Sequence, residues 1–134
     1  RHQPEISQQY ADKFRTKIVS LDDLIGSLSG GNQQKVVISR ALSTRPKVVI
    51  LDEPTRGIDA AARSDVYGII RQLKEEGVAV LMVSSDIEEV VELADRAITI
   101  FQGRINGEFS HDEISQDALT SASFGIGHER VVAK

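Results

Sequence analysis

Asp52 and Glu53 stand together behind four apolar residues and directly ahead of Pro54-Thr55. An acidic pair at the tip of a buried strand is expensive to desolvate unless it meets a cation or a polar partner. Such a pair is suited to a divalent metal: one carboxylate takes Mg²⁺, usually through water, and the other polarises an attacking water. A general base so placed contributes about 10²–10⁴ in rate. Two solvated acids opening a loop would give the same two letters, so the pair taken alone leaves both readings open.

The second stretch is Leu28-Ser29-Gly30-Gly31-Asn32-Gln33-Gln34. Two glycines let a backbone approach a ligand closely, and the helix that follows opens with unsatisfied N–H groups and a positive dipole end. Ser29 adds a hydroxyl donor. Together these make an anion seat suited to phosphate. A glycine turn capped by Ser29 is the plainer account of the stretch in isolation.

The elements that must hold these residues follow from hydrophobic periodicity. Residues 1–45 are polar and helix-like, with Ile6, Tyr10 and Phe14 four apart and a second helical stretch over roughly 32–44, ended by Pro46. From Lys47 short strands and helices alternate. Lys47–Asp52 reads as a strand buried on both faces. Asp59 caps a helix with Val66, Ile69, Ile70 and Leu73 on one stripe, and Gly77 closes it. Val78–Val83 is a second buried strand. Ser85 and Glu88 have capping-box spacing for a helix with Ile87, Val90, Val91 and Ala94 on its face. Arg96–Phe101 pairs through Gln102-Gly103 with Arg104–Phe109, and Ser110 with Glu113 opens a last helix before a frayed tail after Phe124. This order predicts an α/β fold of parallel strands with crossover helices, whose ligands sit at the carboxyl ends of the strands. Asp52-Glu53 and Ser84-Ser85 both fall there.

Composition narrows the class. With 134 residues, 40% hydrophobic and 27% charged, the chain has room for one globular core. A net charge of −4 offers no basic field for a nucleic-acid backbone. Cysteine is absent, which excludes disulfides and thiolate metal sites. No apolar run reaches the ~20 residues that span a bilayer. These features describe a soluble, acidic, intracellular domain. The chain opens on Arg1, so its first residue is not expected to be a natural start.

The order LSGGNQQ, helix, VVILDEPT, RGID resembles the ATP-binding-cassette family over roughly residues 24–108. The fold implied is a partial P-loop NTPase of that type. Residues 1–45 would belong to the helical signature subdomain, 46–110 to the core half with the Walker B strand, D-loop and switch, and 111–134 to a C-terminal helix and tail. By resemblance, Leu28, Ser29, Gly30, Gly31, Asn32 and Gln33 form the signature that meets ATP held by a partner cassette. Asp52 serves Mg²⁺, Glu53 is the catalytic base, Asp59 lies in the D-loop, and Ser85 takes the place of the switch histidine. LSGGNQ and VSSDIEEV look most like the second cassette of sugar-type bacterial importers, such as those for ribose or autoinducer-2. The partners implied are another cassette, transmembrane permease subunits and a solute-binding protein. The place implied is the cytoplasmic face of the inner membrane, as a peripheral subunit.

Two departures qualify the resemblance. No G-x-x-x-x-G-K-[ST] occurs in the sequence, so the loop that holds the β- and γ-phosphates is missing and the chain alone is expected to be inactive. Ser85 is shorter than histidine and lacks its charge option, and a helix N-cap would account for it. A truncated-gene product or non-catalytic interaction fragment is the rival reading. A cassette protein of DNA repair or translation is the other, opposed by the acidic charge and the NQQ signature. Lys35, Arg40 and Arg56 are basic residues near the motifs, whereas His2, His111 and His128 lie outside them.

Overall fold

Short apolar strands, with apolar residues at helical spacing between them, give a helix, a β-α-β unit, and then a helix, a hairpin and a final helix. A computed structural model of the chain describes residues 28–126 and the isolated positions Glu5, Gln8, Gln9, Asp12 and Gly26. The helix marked by Ile6, Tyr10 and Phe14 and the tail from Gly127 lie outside the described residues. The chain divides into two compact units, residues 1–83 and 84–134.

In the first unit, helix α1 (Gly30–Leu42) is followed by strand β1 (Val48–Asp52), helix α2 (Ala60–Glu75) and strand β2 (Ala79–Val83). α1 starts earlier than its apolar periodicity suggests because both glycines enter the helix. It also ends before Pro46 can act on it. The Ser43 and Thr44 hydroxyls donate to the carbonyls of Arg40 and Ala41 at 2.8 and 2.9 Å, and Arg45 turns the chain at φ 51. α2 matches its expected stripe: Val66, Ile69, Ile70 and Leu73 are buried, and Gly77 follows at φ 78. A buried lysine joins the two helices through an ion pair, with Lys35 Nζ 2.5 Å from Asp65.

β1 and β2 are parallel, in register from Val48↔Ala79 to Asp52↔Val83, with α2 as the crossover. The sequence predicts strands buried on both faces; the described sheet is covered on one. Val49 and Leu51 are buried, while Ile50 is 68% exposed and its partner Leu81 53%. The α2 stripe covers one side, and the other carries Val48, Ile50, Leu81 and Val83 to the surface.

In the second unit, helix α3 (Ile87–Leu93) precedes strands β3 (Arg96–Phe101) and β4 (Arg104–Ser110) and helix α4 (Gln116–Ser123). β3 and β4 form the expected antiparallel hairpin. Its two-residue turn has positive φ at both Gln102 (48°) and Gly103 (76°), the backbone a tight hairpin requires. Ala97, Phe109, Leu119 and Ala122 form the core, with Ile87 and Val90 packed on it. The expected α3 face shifts: Glu89 and Leu93 are its buried residues, and Val91 is exposed. The Ser110–Glu113 capping box exists, but it closes a single 3₁₀ turn (His111–Glu113), and Ser115 caps α4 instead. Among the described residues, no helix is long and apolar enough to cross a membrane.

Candidate functional site

The first-unit residues singled out above converge on two neighbouring features, the start of α1 and the loop between β1 and α2. Ser29 occupies the N-cap position of α1 with extended backbone, yet its side chain caps nothing. Its Oγ instead accepts from Asn32 Nδ2 at 3.0 Å, which leaves its O–H free to donate. Gln33 ties the turn down from below: its N–H donates to Ser29 O at 2.9 Å and its Nε2 to Leu28 O at 2.8 Å. The plain reading of Ser29 as a cap therefore fails. The Asn32 side chain bonds to that of Ser29 and the Gln33 side chain to the backbone of Leu28, and Ser29 and Gly30 are exposed.

Gly30 and Gly31 lie against the segment 57–62. A β-carbon on Gly30 would find Ile58 Cγ2 at 3.6 Å, an ordinary contact, whereas one on Gly31 would fall 2.3 Å from Ala62 Cβ. Asp59 caps α2 by accepting from Ala62 N at 2.9 Å. The beginnings of α1 and α2 thus meet through residues with little or no side chain.

Asp52 ends β1 on the open face of the sheet, across from Val83. Glu53 follows in left-handed backbone at φ 48, rare for a residue with a β-carbon. Two hydrogen bonds hold it there: its N–H donates to Val83 O at 2.8 Å, and its carbonyl accepts from Arg56 N at 3.1 Å. Pro54 and Thr55 are buried behind it. Strain of this kind persists only where the surroundings over-determine it, and it collects at functional sites. Asp52 is exposed, and a single exposed carboxylate fits Mg²⁺, which keeps most of its waters and takes one or two protein carboxylates plus phosphate oxygens. The start of α1, exposed at Ser29 and Gly30, fits a phosphate oxygen through its serine hydroxyl in the same chemical sense.

Ser85 belongs to the second unit and is exposed. The expected Ser85–Glu88 capping box is absent. Asp86 is the N-cap of α3, its carboxylate accepting from Glu88 N and Glu89 N at 3.0 and 3.4 Å. A carboxylate outcompetes a hydroxyl there because charge at a helix N-terminus strengthens the hydrogen bond. Ser84 does the anchoring. Its Oγ accepts from Asp86 N at 3.0 Å and donates to Glu89 Oε2 at 2.6 Å. Sequence reasoning passed over Glu89, which is 1% exposed with Oε1 lacking a hydrogen-bond partner. Its one legible mark was its position four residues before the buried Leu93. Ala62 was also missed, since an alanine in a run of three carries no chemical flag.

The ABC transporter family model matches residues 4–56. Over 116 residues, 87% of this chain, the sequence is 46% identical to the xylose import ATP-binding protein of Moorella thermoacetica, 23% of which is covered. The fold superposes on an ATP-binding cassette of an ABC transporter in its ADP conformation with a TM-score of 0.78 and 27% identity, over 90% of this chain and 47% of that one. A dimeric cassette in a post-hydrolysis state, bound to ADP and phosphate, matches at a TM-score of 0.70 and 25% identity, over 80% of this chain and 46% of that one. The chain thus spans about a quarter of the curated relative and about half of each matched cassette.

Proposed function

The chain belongs to the ATP-binding-cassette ATPases of ABC transporters, and from that premise we propose that it carries the signature and Walker B half of a cassette in the ATP-binding subunit of a sugar-type importer. The observation that carries this reading is Glu53, held in strained backbone beside Asp52 at the carboxyl end of a parallel strand pair. In this reading residues 1–45 belong to the helical signature part, 46–110 to the ATPase core and 111–134 to the C-terminal helix and tail.

Mg²⁺-ATP, when bound, supplies the phosphoryl group and the metal charge that neutralises it. Asp52 would hold the metal, and Glu53 would orient the attacking water and accept its proton. The Ser29 hydroxyl and the N–H groups of Gly30 and Gly31 hold the γ-phosphate of a nucleotide seated on a partner cassette, with Leu28, Asn32 and Gln33 shaping that turn and Asp59 in the loop beside it. Ser85 stands at the switch position. No G-x-x-x-x-G-K-[ST] is present in the sequence, so the cradle for the β- and γ-phosphates has to come from outside these residues. The apolar open face of β1 and β2 suits the rest of a cassette core, because parallel strands of this composition are normally covered on both sides. A peripheral place on the cytoplasmic face of the inner membrane, against permease subunits fed by a solute-binding protein, completes the proposal. The relative's name makes a pentose such as xylose the first solute to test, with ribose and autoinducer-2 next.

The test joins this chain to the phosphate-loop portion of the Moorella thermoacetica relative and measures phosphate release. Turnover that needs Mg²⁺-ATP is expected, with near-complete loss in Glu53→Gln. The chain by itself should show no ATP-dependent shift in melting temperature. Turnover that survives Glu53→Gln, or a shift with ATP in the isolated chain, would overturn the assignment.

A further inference from the structure

We propose that Ala62 is a positioning residue for the Ser29–Gly31 turn: its β-carbon occupies the space left by the missing side chain of Gly31 and fixes the start of α1 against the start of α2. The inference rests on the proposed reading of that turn as the phosphate-facing signature. Its support is geometric and local to the first unit.

A glycine at the second position of a helix is usually a loss, since alanine there lowers the backbone entropy cost and favours the helix. Gly31→Ala should on that ground stabilise α1. The packing predicts the reverse. The added β-carbon would lie 2.3 Å from Ala62 Cβ and 3.4 Å from Ala62 Cα, and both atoms belong to a backbone with no freedom to turn aside. Ala62 is itself pinned, because its N–H is bonded to the capping Asp59 carboxylate at 2.9 Å. Relief therefore requires α1 to move away from α2 by roughly 1.2–1.7 Å, the gap between that approach and ordinary van der Waals contact. Further along α1, the Lys35–Asp65 ion pair holds the helices together, so the displacement concentrates at the Ser29 end. Gly30 provides the internal comparison: its nearest neighbour would be Ile58 Cγ2 at 3.6 Å, and a methyl fits. Two adjacent glycines thus have different causes, one of them set by a residue 31 positions away in the chain.

Complementary substitution tests this. In the chain as it stands, Gly31→Ala should lower the melting midpoint by about 5–15 °C, the scale of overpacking in a small unit. It should also displace the amide resonances of Asn32 and Gln33. Gly31→Ala combined with Ala62→Gly should return both the midpoint and the resonances most of the way, although Ala62→Gly alone lowers the midpoint through helix propensity. Gly30→Ala should leave the midpoint unchanged or higher. If Gly31→Ala alone proves insoluble, a soluble and folded double variant supports the proposal and an insoluble one overturns it. Additive losses in the double variant overturn it as well, since residues in contact must couple.

The same variants in the joined cassette separate this inference from the function it rests on. Turnover lost in Gly31→Ala and regained in the double variant supports both. Structural rescue with turnover unaffected throughout would keep Ala62 as the residue that registers the helices and remove the turn from the phosphate site.

Discussion

Glu53 permits a test of the site's backbone that needs no nucleotide. Replacing it with alanine and, separately, with glycine removes the carboxylate in both cases and leaves the Glu53 N to Val83 O hydrogen bond intact, so side-chain losses cancel in the comparison. At φ 48 a residue with a β-carbon bears a left-handed penalty of about 1–2 kcal/mol that glycine escapes. Glycine forfeits about 0.5–1 kcal/mol through its freer unfolded chain. Taken at the middle of both ranges, the difference leaves Glu53→Gly more stable than Glu53→Ala by about 0.75 kcal/mol, or about 3–6 °C in the melting midpoint of a unit this size. At an ordinary position the order is reversed, and alanine leads by a similar margin. The sign is thus the measurement, read from paired thermal and urea melts. Alanine as stable as glycine, or more so, would mean that Glu53 is not held in left-handed backbone and that the strain argument for its role is wrong.

Two further outcomes follow from the second unit and from the asymmetry of the motifs. Ser84→Ala leaves the buried Glu89 without its 2.6 Å donor and should cost about 1.5–3 kcal/mol in a urea melt, while Glu89→Gln, which keeps an acceptor for Ser84, should cost less; a Ser84→Ala loss under about 0.5 kcal/mol would refute the anchoring role. In the joined cassette, Ser29→Arg should abolish turnover and Ser85→Ala should change it little, because Ser85 is exposed and caps no helix, whereas Ser85→His should equal or exceed the wild type. A loss in Ser85→Ala as large as that in Ser29→Arg would show that the serine itself acts in the switch.

Much of this architecture was legible because it is written in local rules. The α2 stripe, its Asp59 cap, the Gly77 stop and the Gln102-Gly103 hairpin each depend on residues within one element, and periodicity or turn chemistry reports them directly. The misses share another cause. Whether Ser85 or Asp86 caps α3 depends on which side chain wins one N-terminus, and two adjacent capping residues do not rank themselves. The buried side of α3 is set by the core of Phe109 and Leu119, which turns Glu89 inward and Val91 outward against the hydrophobic order of the sequence. The left-handed Glu53 could not be foreseen from a residue type that avoids that conformation. It is imposed by Val83 and Arg56, one of them thirty positions away.

The β1 strand shows how a sequence can be right about composition while the described structure shows only half of its consequence. Val48, Val49, Ile50 and Leu51 form the unbroken apolar run that two-sided burial selects, yet only Val49 and Leu51 are covered. An alternating strand would have served equally well if one covered face were the whole requirement. The apolar identity of Val48 and Ile50, matched across the register by Ala79 and Leu81, suits the second layer that the proposed cassette core would pack on this sheet. Asp52 stands on that same side, at the end of the row. In that proposed core, a carboxylate at the rim of the covered face would need a partner to compensate its desolvation, and a hydrated metal would supply it. Covering the face and charging the site would then be one event: whatever packed on Ile50 and Leu81 would also lower the dielectric around Asp52 and strengthen its hold on a cation.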